Sequence, residues 1–497
     1  MDWTESKKAL KALQMELYAL RHASGLLMYD GETCAPKGST EARGLTLSVL
    51  SARHHELLTR EETARLVEEL LNHREEMSFG EIRQLELLKE QMEDLTRIPK
   101  EEYVAYTRLI NASTDAWVQA KTENRFDLFE PYLSQVVEQN GKLAAYHNPA
   151  LSPYDSLLDQ YEKGMTTRQL DSFFGMLRRE VVPLLEQARQ LPEPPRALNA
   201  PVPVPAQREL AYYLMDVMGI DRDRCILGET EHPFTEGFNR TDVRITTHYH
   251  ENMFLSSMYS VIHEGGHALY ELNLPEEYAY TPVSDAPSLG LHESQSRFYE
   301  NLVGHHPAFL ELILPKLKEL APQVAETVSP KELLRGINDV RPSLVRTEAD
   351  QVTYPLHIMV RYEIEKELMQ GKLSVKELPE KWNAMYREYL GVEVPDDRSG
   401  VLQDIHWAQG MIGYFPTYAL GSAYASQFYH AMEKELDPAR AIRENRIGEI
   451  TAWLTKNIHS QGNLYPPMQL LERATGEGFN PAWYVAHLKN VVASLLD

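Results

Sequence analysis

His263-Glu264-Gly265-Gly266-His267 places two imidazoles and a carboxylate within five consecutive positions. The surrounding run, from Met253-Phe254-Leu255 to Leu269-Tyr270, is apolar and free of proline, so it predicts a helix. Four residues make just over one helical turn. Both imidazoles therefore leave the same face and can grip one metal ion. Glu264, one residue along, is offset enough to miss the ion yet reach a water beside it. Neutral imidazoles suit zinc, which lowers the pKa of a water to about 7 and polarises a carbonyl. A neighbouring carboxylate can take that water's proton and pass it to a leaving amine, which is the chemistry of amide hydrolysis. Chance matches to this pattern number on the order of 0.05 per chain of this size and composition. A purely structural zinc site closes with four ligands, mostly Cys, whereas the chain has only Cys34 and Cys225.

A third ligand is required, and its position separates peptidase classes. In the H-E-x-x-H-x-x-G-x-x-H class, positions 270 and 273 would be Gly and His; they are Tyr270 and Asn273. A glutamate from a later helix is the alternative, and Leu291-His292-Glu293-Ser294-Gln295-Ser296 supplies one, with Pro287 near the start of that helix. On spacing alone, Glu293 is one of several candidates.

The elements that must position these residues are mostly helices. Leu10, Leu13, Leu17 and Leu20 recur at three- and four-residue steps, an amphipathic stripe. Thr167 is a candidate N-cap for a helix whose Leu170, Phe173, Phe174, Leu177, Val181, Leu184 and Leu185 share a face, with Pro183 expected to kink its last turn. Similar patterns occupy residues 60–95, 255–273, 291–303, 355–370 and 440–457. A proline-rich connector, 192–205, breaks the helical run. The best strand signal is Asp242-Val243-Arg244-Ile245-Thr246-Thr247, alternating at period two. The expected fold is mainly α, with a small sheet close to the histidine helix.

The 497 residues exceed one ordinary compact core, so two lobes are expected, with the whole of 1–497 as one catalytic unit. Hydrophobic residues at 43% and charged residues at 25% describe a folded protein. A net charge of −23 repels phosphate and argues against nucleic acid. The beginning, Met1-Asp2-Trp3-Thr4-Glu5, lacks the apolar stretch of a signal peptide, and no apolar run is long enough to span a bilayer. With few cysteines as well, a cytoplasmic protein without a membrane partner is expected.

Beyond the H-E-G-G-H segment, five further motifs are similar in type and order to those of the thermostable metallocarboxypeptidase family known as carboxypeptidase Taq. They are His232-Pro233-Phe234, Asp242 to Thr246, His292-Glu293-Ser294-Gln295, Arg346-Thr347-Glu348-Ala349-Asp350, and Gly400 to Trp407. Val345 stands where the family more often has Ile. The resemblance runs from 232 to 407. It implies a predominantly helical, neurolysin-like fold of two lobes around a deep groove, a homodimer, one zinc per chain that cobalt can replace, and release of single C-terminal residues except proline. It also maps the third ligand onto Glu293.

An exopeptidase must hold a terminal carboxylate, for which a planar guanidinium is best suited. Arg346 is the first candidate, with Asp350 expected one helical turn later to orient it. Asp242, Arg244 and Thr246 could lie on a strand that pairs with substrate at a sheet edge. His232 is expected to be buried in its Pro-Phe context, near the site or in the core. His406, Tyr414 and Tyr418 are candidate donors to the oxyanion, with Gln403 and Asp404 in support. The rival readings are an endo-oligopeptidase or dipeptide-releasing carboxypeptidase of the same chemistry and, outside enzymes, a metal-binding scaffold, for which Glu264 would be superfluous.

Overall fold

The computed structural model describes residues 3–496. Four helices, Trp3–Thr33, Thr40–Thr59, Glu61–Leu71 and Phe79–Arg97, enclose a small apolar core of their own around Leu10, Leu13, Leu17, Leu57, Leu70 and Leu88. Leu20, at the end of the predicted stripe, lies at its margin. The later helices share one much larger core, from Ala120 to Leu495. Among the described residues no helix is long and apolar enough to cross a membrane.

Several boundaries differ from expectation for identifiable reasons. Thr166, not Thr167, caps the helix Thr167–Glu180, because a reciprocal bond with Gln169 completes a capping box. Pro183 opens a separate helix, Val182–Ala188, rather than kinking the previous one; near a helix start its missing N–H costs nothing. The segment 440–457 divides into Pro438–Arg443 and Ile447–Asn457 around Asn445, whose φ is +54°. Within 192–205 the chain makes a 3₁₀ turn, Arg196–Asn199, and then enters the helix Val204–Met218.

The sheet has three strands in the order β1 (Cys225–Glu229), β3 (Asp242–Thr247), β2 (Thr235–Asn239), with β1 parallel and β2 antiparallel to β3. β3 is therefore central and has no free edge for a peptide, which corrects the expectation that it could pair with substrate. Val243 and Ile245 join the large core. Arg244 points the other way, between the rings of Tyr29 and Phe238, and ties the N-terminal helices to the sheet.

The histidine helix, Phe254–Leu272, packs against β3 on one side and against Leu289–Arg297 on the other. Two glycines set the spacing. A Cβ on Gly266 would come within 2.5 Å of the Gln295 carbonyl oxygen and 2.7 Å of the Ser296 Cα. A Cβ on Gly421, in the helix Pro416–Met432, would lie 2.5 Å from Glu293 Cγ. Backbone atoms on the far side of Gly266 cannot swing aside as a side chain could. Gly266→Ala should therefore destabilise the fold by roughly 1–3 kcal/mol through overpacking and loosen Glu293, read as a lower Tm together with weaker metal binding.

Candidate metal centre

His263 and His267 lie on one face of their helix, and Glu293 reaches them from the helix Leu289–Arg297. One donor atom from each lies within 4.8 Å of the others. Glu293 Oε2 is 3.6 Å from His263 Nε2 and 3.4 Å from His267 Nε2. Two imidazoles and a carboxylate at this spacing fit a tetrahedral ion with one position open.

The support around the ligands follows from helical periodicity. Glu293, Arg297 and Glu300 fall at i, i+4 and i+7 on one face. Arg297 Nε donates to Glu293 Oε1 at 2.8 Å, and its Nη1 donates to Glu300 Oε2 at 3.1 Å. Glu300 Oε2 in turn lies 2.6 Å from His263 Nδ1, which orients that ring with Nε2 toward the site. The α-helix passes into a π-helix, Phe298–Gly304, at this point, and π turns concentrate at functional sites. Ser296 Oγ donates to Glu293 Oε2 at 2.9 Å. Among the described residues His267 Nδ1 is buried without a hydrogen-bond partner, and its ring stacks on His292 at 4.5 Å. His292 in turn bonds Glu271 at 2.7 Å.

The field of the site suits a cation. Burial disfavours the His263 imidazolium, but Glu293 and Glu300 outweigh it and bring the pKa up to about 9. Burial and then His292 hold His267 down at about 3, so that ring is neutral, whereas His263 gives up its proton when an ion binds. Burial also opposes charge on Glu293; Arg297 and the two imidazoles overcome it and keep the carboxyl well below the usual range. Glu264 is buried, and burial raises its pKa against the pull of His263 and Thr235. Thr235 Oγ1, at the start of β2, donates to Glu264 Oε2 at 2.6 Å and fixes the carboxylate beside the ligands.

The remaining sequence candidates divide into two groups. Arg346 is buried, and its Nε and Nη2 both donate to Asp404 Oδ1, at 3.1 and 2.9 Å. Among the described residues its Nη1 has only a long bond, 3.3 Å, to the Tyr354 hydroxyl. Gln403 accepts from the Arg346 amide and from Arg361. His406 Nε2 is 3.1 Å from the Tyr418 hydroxyl, and Tyr414 packs edge-on against Tyr418. The Glu293 carboxylate is among the charges felt by both phenols. These residues gather on the metal side of the molecule.

Of the others, Asp350 lines one cavity with His263, Glu264 and Arg346, and the rest lie elsewhere. Arg244 is held by Asp242 through bonds of 3.0 and 3.1 Å and faces the N-terminal helix. The Thr246 hydroxyl bonds the Phe234 backbone and Thr230, locking the turn before β2. His232 is exposed, not buried as its Pro-Phe neighbours suggested. Asp350 lies outside any helix and accepts from the amides of Arg341, Val352 and Thr353, shaping the entry to the helix Tyr354–Met369; Asp404, not Asp350, orients Arg346. Sequence reasoning missed Thr235, Arg297, Glu300 and Tyr354. Only the i, i+4, i+7 spacing of Glu293, Arg297 and Glu300 carried a visible signal.

Replacing His263, His267 or Glu293 by Ala should abolish tight binding of one metal ion per chain, assayed with added zinc, while the fold persists. Full zinc content in Glu293→Ala, by elemental analysis, would exclude it as a ligand. Thr235→Val removes a hydrogen bond to a carboxylate, an interaction worth roughly 1.5–3 kcal/mol. Its kcat should fall about tenfold or more with metal content unchanged.

The model of the carboxypeptidase Taq (M32) metallopeptidase family matches residues 9–492. Carboxypeptidase 1 of Bacillus subtilis is 38% identical over 476 residues, 95% of each chain. Thermostable carboxypeptidase 1 of Thermus thermophilus is 36% identical over 98% of both chains. Among solved structures, the M32 carboxypeptidase of Deinococcus radiodurans superimposes with a TM-score of 0.96 at 31% identity, over 99% of both chains. A match across almost the entire length, on a mainly helical fold with a triad able to hold a metal ion, leaves one assignment: the chain belongs to the carboxypeptidase Taq metallopeptidase family and is a peptide hydrolase of the metallocarboxypeptidase type.

Proposed function

We propose that the enzyme is a zinc carboxypeptidase that releases single residues from peptide C-termini with broad specificity, proline excepted. The observation that carries this reading is a cavity of about 580 Å³ lined by His263 and Glu264 from the histidine helix and by Arg346 and Tyr354 from the segment after residue 345. A terminal carboxylate and a scissile carbonyl one residue apart need such a pairing of ligand face and buried cation.

The charge balance supports Arg346 as the anchor. Asp404 bridges two guanidiniums, Arg346 at 2.9 Å and Arg361 at 2.5 Å, so two positive charges share one negative. The trio carries one uncompensated positive charge, and the Nη1 edge of Arg346 is where a carboxylate can meet it. Zinc, or cobalt in its place, would supply Lewis acidity when held by His263, His267 and Glu293, polarising the carbonyl and acidifying a water. Glu264 takes the proton at its carboxylate, with Thr235 holding that side chain in place, and passes it to the departing amine. Tyr414 and Tyr418 supply O–H donors to the developing oxyanion. His406, kept neutral at about 4 chiefly by burial, bonds the Tyr418 hydroxyl and sets its direction. The enzyme is further proposed as a cytoplasmic homodimer of two-lobed subunits. Family resemblance supports the dimer and lobes, and the two unpaired cysteines suit a reducing compartment.

Mass spectrometry of a defined peptide, as free acid and as amide, tests the reading. The free acid should shorten one residue at a time and stall at proline, while the amide is cut little. Internal cleavage of both at equal rates would establish an endo-oligopeptidase instead. Glu264→Gln should lower turnover by roughly a hundredfold or more without changing metal content. Loss of a charge-assisted contact in Arg346→Ala should weaken cleavage of free acids about tenfold or more and narrow the gap to amides. Arg346→Lys should fall between, since an ammonium lacks the planar fork.

A further inference from the structure

Two carboxylates that touch neither the metal centre nor the cavity beside it are enclosed in the large core. Glu162 is 1% exposed and Glu365 is fully buried, and among the described residues neither has an ion-pair partner. A buried carboxylate without a cation is costly unless donors surround it, and each has three. Glu162 Oε1 accepts from Ser288 Oγ and the Tyr424 hydroxyl, both at 3.0 Å, and its Oε2 accepts from the Gly290 amide at 3.0 Å. Ser288 and Gly290 are the N-cap and second residue of the helix that carries Glu293, and Tyr424 lies on the helix packed against it. Glu365 Oε1 accepts from the Trp407 indole at 2.8 Å, and its Oε2 accepts from the Tyr154 hydroxyl at 2.7 Å and the Gly413 amide at 3.0 Å. Trp407 directly follows His406, and Gly413 directly precedes Tyr414.

We propose that Glu162 and Glu365 are positioning residues for the hydrolysis: Glu162 fixes the helix that presents Glu293, and Glu365 fixes both ends of the loop that presents His406 and Tyr414. This rests on the roles given above to Glu293, His406 and Tyr414. The donor sets make the two residues respond differently to the same change. In Glu162→Gln the amide oxygen can face the Gly290 N–H while the NH₂ donates to the two hydroxyls, which can also accept. In Glu365→Gln the NH₂ must oppose either the Trp407 indole N–H or the Gly413 N–H, neither of which can accept.

The test measures the zinc dissociation constant by chelator competition, with kcat and KM on a free-acid peptide, in variants whose folding is checked by circular dichroism. Glu162→Ala should weaken zinc binding about tenfold or more, as lost support of a ligand does, and Glu162→Gln should restore it to within about threefold. Glu365→Gln should keep zinc affinity within about threefold but lower kcat about tenfold or more, with a smaller change in KM. Loss of tight binding in a His267→Ala control identifies the measured site as the triad. An unchanged zinc constant in Glu162→Ala then overturns the assignment while leaving the triad in place. If Glu162→Ala does not fold, Tyr424→Phe decides, since it removes one donor and keeps the packed ring; unchanged zinc affinity there overturns the assignment equally. An undiminished kcat in Glu365→Gln overturns the second half.

Discussion

Glu293 sits where three helices pack closely enough that glycine is needed on two of them. Gly266 admits the chain at Gln295 and Ser296 from one side, and Gly421 admits the Glu293 side chain from the other. This contact converts a sequence separation of 26 residues, His267 to Glu293, into a donor spacing of 3.4 Å. From it the polar ring closes without slack: Glu293 to Arg297, Arg297 to Glu300, Glu300 to His263. Each bond in that ring involves a charged partner in a site shielded from water, where electrostatic contacts are strongest and unpaired groups most costly. The geometry of the metal centre is thus set by packing first and by polar contacts second.

The first ligand pair was legible because helical periodicity is local: two histidines four apart in an apolar run need no partner to be recognised. The mainly α character was legible for the same reason, and the stripe through Leu10, Leu13 and Leu17 is buried as its spacing implied. Glu293 was one acid among many until motif order singled it out. Thr235 could not be seen at all, because its contact with Glu264 bridges 29 residues between a strand and a helix. Arg346 and Asp350 were paired by sequence proximity, but tertiary structure gave the guanidinium to Asp404, 58 residues away. Period two correctly marked β3 as a strand; its central place in the sheet depends on β1 and β2, whose own patterns are weak.

The helix Tyr354–Met369 shows how one element can serve several parts of a site. Tyr354 meets Arg346, Arg361 meets Asp404 and Gln403, and Glu365 meets the ends of the His406–Tyr414 loop. These positions are spaced by seven and four residues, so they form one buried polar stripe, apart from Glu363, Lys366 and Glu367, which pair elsewhere. A stripe of this kind gives a helix little amphipathic signature, because the polar face points inward.

The separate core beneath the first 97 residues bears on how the molecule comes apart. Two apolar cores of unequal size meet through polar and aromatic contacts, such as the Arg244 guanidinium between Tyr29 and Phe238 and the Arg83 bonds to Asn463. The smaller, with less buried area to offset its chain entropy, opens at lower free energy than the whole. Amide exchange in those four helices would then run ahead of exchange in the histidine helix, and heat unfolding would depart from a single two-state transition.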